Sequence, residues 1–395
     1  MNFRGLLYLG TRYLTRHKAR TLILVSAFTL VWLLPSLIAM VVGQVETRIR
    51  ARAGETPFLL GKSGSALELV FNGLYFTKPE IQVLPFREVQ AIQEDDLATA
   101  IPLYSRFSAG KNRIVGTSID YFGFRGLEIE RGRQLLRLGE CVVGVKVAAD
   151  NGISVGDAVI SSPETLFDLG GVYPLKMKVV GILGRSGTPD DAAIFVDVKT
   201  CWIIEGLGHG HEEADKLDPE KLLETDSESG VIRVNASVEE YNEITETNVA
   251  DFHFHGDTGD HPVTAAIILP YGAKEQALLK GSVAANESFQ MVSPTEEMDE
   301  LFETVFSVQK VVLWILFAVG IATILIGVLV FLLSNRLRKD EFRQLTILGA
   351  DLSTMRALVL YEAVFVILVS LLLSAAILFL FSLVTPGVVR AVLAG

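Results

Sequence analysis

Three long apolar stretches dominate the pattern of hydrophobic and polar positions along the chain. Residues 21–44, 311–333 and 363–384 contain no Asp, Glu, Lys or Arg. A helix of about twenty apolar residues crosses the hydrocarbon core of a bilayer, because each residue advances it by about 1.5 Å. One such run is compatible with a buried core helix, but three without a charge predict three transmembrane helices. The first run is longer than the apolar part of a cleaved signal peptide, so we interpret it as a retained anchor.

The distribution of Lys and Arg predicts the orientation of these spans. Basic residues crowd residues 1–20, before the first span, and residues 336–343, after the second. Because cytoplasmic loops carry the excess of Lys and Arg, both segments are expected in the cytoplasm. Residues 45–309 and the tail 385–395 then lie outside, on the non-cytoplasmic side of the membrane. Arg48, Arg50 and Arg52 oppose this bias on the outer side of the first span.

The segment of residues 1–20 has its own pattern, in which leucine and tyrosine alternate with basic residues. Apolar side chains on one side of a helix and cations on the other favour a helix that lies in the membrane interface. We therefore expect a cytoplasmic interfacial helix before the first span.

Residues 45–309 read as an α+β domain outside the membrane. Short β-like runs occur at residues 158–162, 175–183, 192–198, 230–238 and 264–271, and helical segments at 86–94 and 274–279. Residues 206–230 are rich in Gly, Glu and Asp and indicate a surface insertion or a disordered loop. The amphipathic run 296–310 predicts a stalk helix that continues the second span. We expect the domain to form two lobes.

Composition excludes some classes of function. A formal net charge of −11 argues against a nucleic-acid binder, which needs clustered cations. Cys141 and Cys201 are predicted to be buried thiols, with a disulfide as the alternative. Residues 61–63 read Gly-Lys-Ser, but the glycine that a phosphate loop needs five positions earlier is Thr56. No ATP-binding site is therefore expected in this chain.

Residues 334–362, between the second and third spans, predict a helical hairpin. An amphipathic helix is expected up to Gly349, a natural stop. Asp351 or Ser353 can cap the next helix, which leads into the third span. Taken alone, this segment is better interpreted as a positively flanked loop that only sets the topology.

The hairpin also resembles the cytoplasmic signature of the MacB/FtsX/LolC-type permeases, the membrane subunits of type VII ABC systems. The resemblance rests on Arg338, Glu341, the run LTILGA at residues 345–350, and Glu362. Residues 57–76, 121–135 and 139–159 are similar to the family's exterior segments. The resemblance implies a multi-pass α-helical membrane protein with a large α+β domain of the MacB-like periplasmic core type.

The resemblance implies a mechanical role rather than an enzyme, with no catalytic residues in this chain. Two copies, or two related permeases, would recruit a cytoplasmic ABC ATPase dimer onto the hairpin and move the spans and the exterior domains. A periplasmic binding or adaptor protein is a further implied partner. An FtsX-like regulator of a periplasmic protein or hydrolase is the alternative function. The expected coupling residues are Arg338, Glu341, Leu345, Leu348, Gly349, Ala350 and Glu362.

The chain departs from the family pattern in two places. Family members usually have a fourth span, whereas residues 385–395 contain Pro386 and Arg390 and do not read as one. Either this branch works with three spans, or the predicted topology of the carboxyl end is incomplete. The exterior domain also carries an insertion at about residues 206–261 that contains most of the histidines.

The histidines of this insertion suggest a metal site. Two HxH elements occur, GHGHEE with His209 and His211 and DFHFHGDTGDH with His253, His255 and His261. In a strand, residues two apart point to the same face. Imidazoles with a carboxylate such as that of Asp257 suit Zn²⁺.

The GHGH element carries the weaker part of this signal, because flexible His-rich tracts often only buffer metal. The alternatives are a solvated loop, a pH sensor and a metalloenzyme, for which no HExxH helix is present. Within the resemblance, a Zn²⁺ site suggests a permease connected with divalent metals.

Overall fold

The computed structural model describes residues 3–77, 81–163, 174–210, 222–225, 232–234, 242–347 and 351–393. The chain divides into two units. The membrane unit consists of Met1–Arg48 and Glu300–Val389, and the exterior unit contains Ile49–Asp299. The α-helices of the described residues are α1 Phe3–Arg16, α2 Lys18–Gly54, α3 Ala66–Tyr75, α4 Phe86–Glu94, α5 Asp120–Phe124, α6 Val145–Asn151, α7 Val198–Ile204, α8 Ala273–Ala284, α9 Pro294–Leu337, α10 Lys339–Ile347 and α11 Leu352–Leu393.

Three helices are long and apolar enough to cross a membrane, as the sequence predicts. They are Lys18–Gly54, Pro294–Leu333 and Ser353–Val384. Helix α9 begins at Pro294, so the run expected to form a stalk is helical and continuous with the second span. Helix α11 reaches Leu393 and includes Pro386, so the expected tail begins as helix. A proline removes one helical hydrogen bond, and the bonds on either side keep the helix continuous.

The spans of the membrane unit pack against one another through small and apolar side chains. Leu24, Val25 and Phe28 of α2 form a buried cluster with Val366 of α11. The Ser370 hydroxyl donates hydrogen bonds to the carbonyls of Val25 (3.1 Å) and Val366 (2.7 Å). Hydroxyls that bond to backbone carbonyls and close contacts at small residues are what hold helices together in lipid.

The exterior unit is built on one mixed sheet. The strands of the described residues are β1 Phe58–Lys62, β2 Leu84–Pro85, β3 Ala98–Tyr104, β4 Ser108–Ala109, β5 Asn112–Thr117, β6 Ile129–Gly132, β7 Glu140–Val143, β8 Ala158–Ile160, β9 Lys176–Leu183, β10 Ala193–Asp197, β11 Gly208–Gly210, β12 Leu222–Thr225, β13 Ile232–Val234, β14 Phe252–Phe254, β15 Pro262–Val263, β16 Ala265–Pro270 and β17 Phe289–Val292.

The order of the main sheet is β17-β1-β16-β3-β5-β10-β7-β9-β6, with β4 added to β5 and β8 to β9. Strands β5 and β10 pair in parallel, as do β7 and β9. The remaining strands form three two-stranded sheets, β11-β14, β12-β13 and β15-β2. The described part of residues 49–299 forms one compact unit rather than the two lobes expected from the sequence. The β-like runs predicted at 158–162, 175–183, 192–198, 230–238 and 264–271 contain strands β8, β9, β10, β13 and β16.

The central strands are almost continuously apolar because both of their faces are buried. Ile114, Val142 and Phe195 have no exposed surface, and Trp202 of α7 is fully buried against the sheet. Both cysteines are free and buried, which confirms the prediction of two thiols. Burial raises the pKa of each thiol well above its usual value, so neither is a reactive thiolate.

Candidate functional site

The hairpin between α9 and α11 is anchored by a buried carboxylate. The Glu362 side chain on α11 is 2% exposed, and its Oε1 accepts a hydrogen bond from Nη1 of Arg338 at 2.9 Å. Its other oxygen, Oε2, accepts one from Nη2 of Arg20 on α2 at 3.1 Å. Arg338 occupies the single position between α9 and α10. One carboxylate therefore joins the start of α2, the end of α9 and the first turns of α11.

Helix α1 contributes an aromatic ring to the same place. The guanidinium carbon of Arg338 lies 3.4 Å from the centre of the Tyr13 ring, and that of Arg20 lies 5.3 Å from it. Cations over an aromatic face are stabilised by its quadrupole. We call Tyr13, Arg20, Arg338 and Glu362 the Glu362 cluster.

The other coupling residues predicted from the sequence come soon after Arg338 along the chain. Glu341 and Leu345 lie on α10, whereas Leu348, Gly349 and Ala350 fall outside the described residues. Asp351 precedes α11 and accepts the first backbone hydrogen bond, from the amide of Thr354 at 3.0 Å. The two expected helices of the hairpin are therefore present, α10 before residues 348–350 and α11 after them.

Sequence reasoning missed Tyr13 and Arg20 as members of this site. Arg20 served only as a topology signal, and Tyr13 as an apolar position of the interfacial helix. A usable signal exists: a glutamate beside a transmembrane run needs a cation, and the basic residues flanking the other spans are the available partners.

A second buried cluster lies in the exterior unit, where α2 ends. Arg52 is 5% exposed and forms a two-pronged ion pair with Asp190, with Nη1–Oδ2 at 2.7 Å and Nη2–Oδ1 at 3.1 Å. The Tyr121 hydroxyl donates to Oδ1 of Asp190 at 2.6 Å, and the Thr188 hydroxyl donates to Oδ2 at 2.7 Å. The Arg52 Nε donates to the Leu74 carbonyl at 2.6 Å. We call Arg52, Tyr121, Thr188 and Asp190 the Asp190 cluster.

Electrostatics favour the ionised form of this carboxylate. Burial alone raises the pKa of a carboxyl group, but the charge of Arg52 and the hydrogen bonds from Tyr121 and Thr188 lower the pKa of Asp190 to about 2. Burial and the neighbouring carboxylate raise the pKa of Tyr121, so its hydroxyl stays a hydrogen-bond donor. The cluster is thus a saturated ion pair at neutral pH.

A third arrangement is the histidine cluster, which we define as His209, His253 and His255. Strands β11 and β14 pair antiparallel, with His209 opposite His253. One ring nitrogen from each of the three histidines lies within 4.8 Å of the others. His255 Nε2 and His209 Nδ1 are 3.4 Å apart. The structure therefore unites the two histidine elements that the sequence presents separately.

The other predicted ligands are placed differently. His261 is 4% exposed, its ring packs on Trp202, and its Nε2 lies 3.0 Å from the His255 carbonyl oxygen. His261 is therefore a core residue. It directly follows the 3₁₀ turn Thr258–Asp260, and its ring contacts the carbonyl of His255, just after β14. Asp257 caps that turn by accepting from the Gly259 amide at 2.9 Å. His211 lies outside the described residues.

Comparison with known proteins decides the family. The family described as MacB-like periplasmic core domain matches residues 26–240, which is more than half of the chain. The chain belongs to this MacB-like family. Its match begins inside the first apolar span and includes the Asp190 cluster and the strand that carries His209. The resemblance to this family is confirmed through the exterior segments, which lie within the matched residues.

Solved structures of MacB-like domains show likeness at low identity. The periplasmic region of MacB from Actinobacillus actinomycetemcomitans has 11% identity and a TM-score of 0.35, over 66% of this chain and 97% of that one. The extracellular domain of the noncanonic ABC-type transporter YknZ from Gram-positive bacteria has 10% identity and a TM-score of 0.32, over 60% and 98%. TM-scores this low carry no argument, so the family rests on the match to residues 26–240. No curated protein sequence matches the chain.

Together, the MacB-like domain and the three apolar helices identify a permease of the type VII ABC transporter class. Members of this family are membrane subunits that associate with an ABC ATPase. The MacB-like chain is accordingly an inner-membrane protein with a periplasmic-type domain.

Proposed function

We propose that the chain couples ATP hydrolysis by a separate cytoplasmic ABC ATPase dimer to a change in shape of its exterior domain. In this proposal the amino terminus and α10 face the cytoplasm and the exterior unit faces the periplasm. The chain works as a homodimer, whose spans face lipid and the second copy. It hydrolyses no ATP itself.

The observation that carries this proposal is the Glu362 cluster. Arg338 directly precedes α10, the helix on which the resemblance places the ATPase. Since Glu362 bonds to both Arg338 and Arg20, a displacement of α10 acts at once on α9, α2 and α11. Buried ion pairs hold geometry well, because separating the charges in a low dielectric is costly.

Helix α2 provides the route toward the exterior domain. Arg20 lies near its start and Arg52 near its end, and the helix is continuous between them. Each arginine forms an ion pair with a buried carboxylate: Arg20 pairs with Glu362, and Arg52 pairs with Asp190. A movement of α2 would therefore strain the ion pair near each of its ends.

The test is capture and stimulation of the ATPase. The tagged full chain, solubilised from its native membrane, is expected to retain an ABC ATPase and raise its turnover. Glu341→Lys on α10 is expected to abolish retention by reversing a charge on the docking helix. Glu362→Gln is expected to keep retention but lower the stimulated turnover by about tenfold or more, because the helices lose their shared charge.

Arg16→Ala is the matched control, since Arg16 is an exposed arginine at the end of α1. It is expected to leave both capture and turnover unchanged. An intact chain that captures no ATPase, or stimulation that survives Glu362→Gln, refutes the coupling mechanism. Capture of a periplasmic hydrolase or adaptor by the exterior domain, with no solute translocated, identifies the FtsX-like alternative.

A further inference from the structure

We propose that His209, His253 and His255 bind one divalent cation of the zinc class, which joins β11 to β14. This inference goes beyond the coupling function and does not depend on it. The cation would link residues 46 positions apart in the sequence, at the two ends of the histidine-bearing insertion.

The strand pairing turns all three imidazoles to one face. His209 stands opposite His253 in the register of β11 and β14, and His255 follows two positions later on the same side. The three rings are mutual neighbours, with centres 4.7 to 5.3 Å apart. Local sequence alternation and the cross-strand register therefore act together to gather the donors.

The opposite face of the same strands explains why this arrangement is held. Phe252 and Phe254 pack against the glycines of β11: a Cβ at Gly208 would lie 2.7 Å from the Phe254 ring, and one at Gly210 would lie 2.6 Å from the Phe252 ring. Phe254 also packs on Trp202 of the core. With the aromatic rings fixed inward, the histidines of both strands are left on the outer face.

The nitrogen positions fit a tetrahedral metal. Two nitrogens bound to zinc at about 2.0–2.1 Å with a tetrahedral angle are about 3.3–3.4 Å apart. His255 Nε2 and His209 Nδ1 are separated by 3.4 Å, which is long for a hydrogen bond. The third nitrogen lies within 4.8 Å, and small rotations of the exposed His253 ring close that gap.

Backbone contacts orient the donor residues. His253 Nδ1 lies 3.3 Å from the Asp251 carbonyl oxygen, an arrangement that leaves Nε2 as the nitrogen for the metal. The backbone of His255 is held from two sides, by its amide donating to the Leu207 carbonyl at 2.9 Å and by His261 at its carbonyl. Three nitrogen donors with an accessible fourth position suit Zn²⁺, Co²⁺ or Ni²⁺ rather than Ca²⁺ or Mg²⁺.

The experiment measures metal binding by the purified full chain in detergent, after treatment with EDTA. Wild type is expected to bind one equivalent of Zn²⁺ in chelator competition, and Co²⁺ is expected to give the intense visible bands of a four-coordinate ion. His209→Ala with His255→Ala is expected to weaken Zn²⁺ binding by at least about tenfold and to remove these bands. His17→Ala, at a histidine in the membrane unit, is the matched control and is expected to bind like wild type.

Protein unfolding separates a lost site from a lost fold. Because the histidines are on an outer face, the double variant and wild type are expected to unfold at the same temperature in EDTA, and only wild type is expected to gain stability from Zn²⁺. Zn²⁺ binding that is equal in wild type and double variant overturns the proposal. So does binding that is lost in His211→Ala but retained in His255→Ala, because it assigns the metal to a different donor set.

Discussion

Two buried arginine–carboxylate clusters, one in each unit, differ in how many arginines bond to the carboxylate. In the Asp190 cluster one arginine meets one carboxylate through two hydrogen bonds, and two neutral hydroxyls occupy the remaining acceptor positions. In the Glu362 cluster two arginines share one carboxylate. The side chain of Arg20 is also 21% exposed, against 5% for that of Arg52.

This difference indicates different roles. A saturated pair has no alternative arrangement of comparable energy, so the Asp190 cluster acts as a fixed anchor for the end of α2. A carboxylate that bonds to two cations can strengthen its bond to one and weaken its bond to the other when a helix moves. In the proposed coupling mechanism, the Glu362 cluster is therefore expected to adjust to a helix displacement, and the Asp190 cluster is expected to resist one.

Removing the cation of the anchor gives the largest expected effect. Arg52→Ala leaves Asp190 buried without a counter-charge, which costs about 3–5 kcal/mol of unfolding free energy. Pulse proteolysis of the full chain in urea measures this loss. The control is Arg137→Ala, which breaks an exposed pair with Glu246 and is expected to cost below about 1 kcal/mol. Equal losses in the two variants would show that the Asp190 cluster is not an anchor.

Adding one carbon beside the anchor should have the next largest effect. A Cβ at Gly144 would collide with the backbone carbonyls of Asp190 and Asp191, which cannot rotate away as a side chain does. We expect Gly144→Ala to destabilise the chain by about 1–3 kcal/mol in the same assay. Gly123→Ala is the control, because a Cβ there meets nothing within 4 Å. A neutral Gly144→Ala would contradict a rigid backbone at this position.

The pH dependence of stability distinguishes the anchor by its sign. The pKa of Asp190 falls from its usual value near 3.8 to about 2 on folding, so its contribution is complete above about pH 4. It is lost as the pH falls from about 4 to 2, by about 2 kcal/mol. Stability measured by proteolysis with pepsin over this range should decline less steeply in Asp190→Asn. Parallel curves for wild type and variant would exclude Asp190 as the group responsible.

The smallest expected effect is the difference in stability between removing one arginine of the Glu362 cluster and removing the other. Arg338→Ala removes a side chain that is 7% exposed and is expected to cost about 2 kcal/mol, whereas Arg20→Ala is expected to cost about 1 kcal/mol. In each variant Glu362 keeps one cation. Thermal unfolding in detergent measures both, and the double variant should lose more than the sum of the single losses. Strict additivity would mean that the carboxylate is not shared.

The spans, the hairpin helices and the exterior strands could be predicted from the sequence, because each depends on a local pattern. Uncharged runs predicted the three membrane helices, and the amphipathic pattern before Gly349 predicted α10; Gly349 itself lies outside the described residues. The partners in the clusters could not be predicted in this way. Arg52 and Asp190 are 138 positions apart, and Arg20 and Glu362 are 342 apart. Only the tertiary fold brings such residues together.

The outer arginines illustrate the same limit. Counted as charges, Arg50 and Arg52 weaken the predicted orientation of the first span. In the structure Arg50 pairs with Asp299 and Arg52 with Asp190, so both are neutralised within the exterior unit. For the histidines, alternation along the strand correctly joined His253 to His255. That His209, rather than His261, joins these two histidines depends on the register of β11 and β14, which the sequence alone does not specify.

The two membrane helices that flank the exterior domain in the sequence differ in stiffness. Helix α9 has no proline after its first residue and forms an unbroken rod, about 66 Å long at 1.5 Å for each of its 44 residues. Helix α2 carries Pro35 in the middle of its apolar run, where one backbone hydrogen bond is missing and bending is easier. Helix α9 therefore resists bending along its length, whereas α2 is continuous but bends most easily near Pro35, between Arg20 and Arg52.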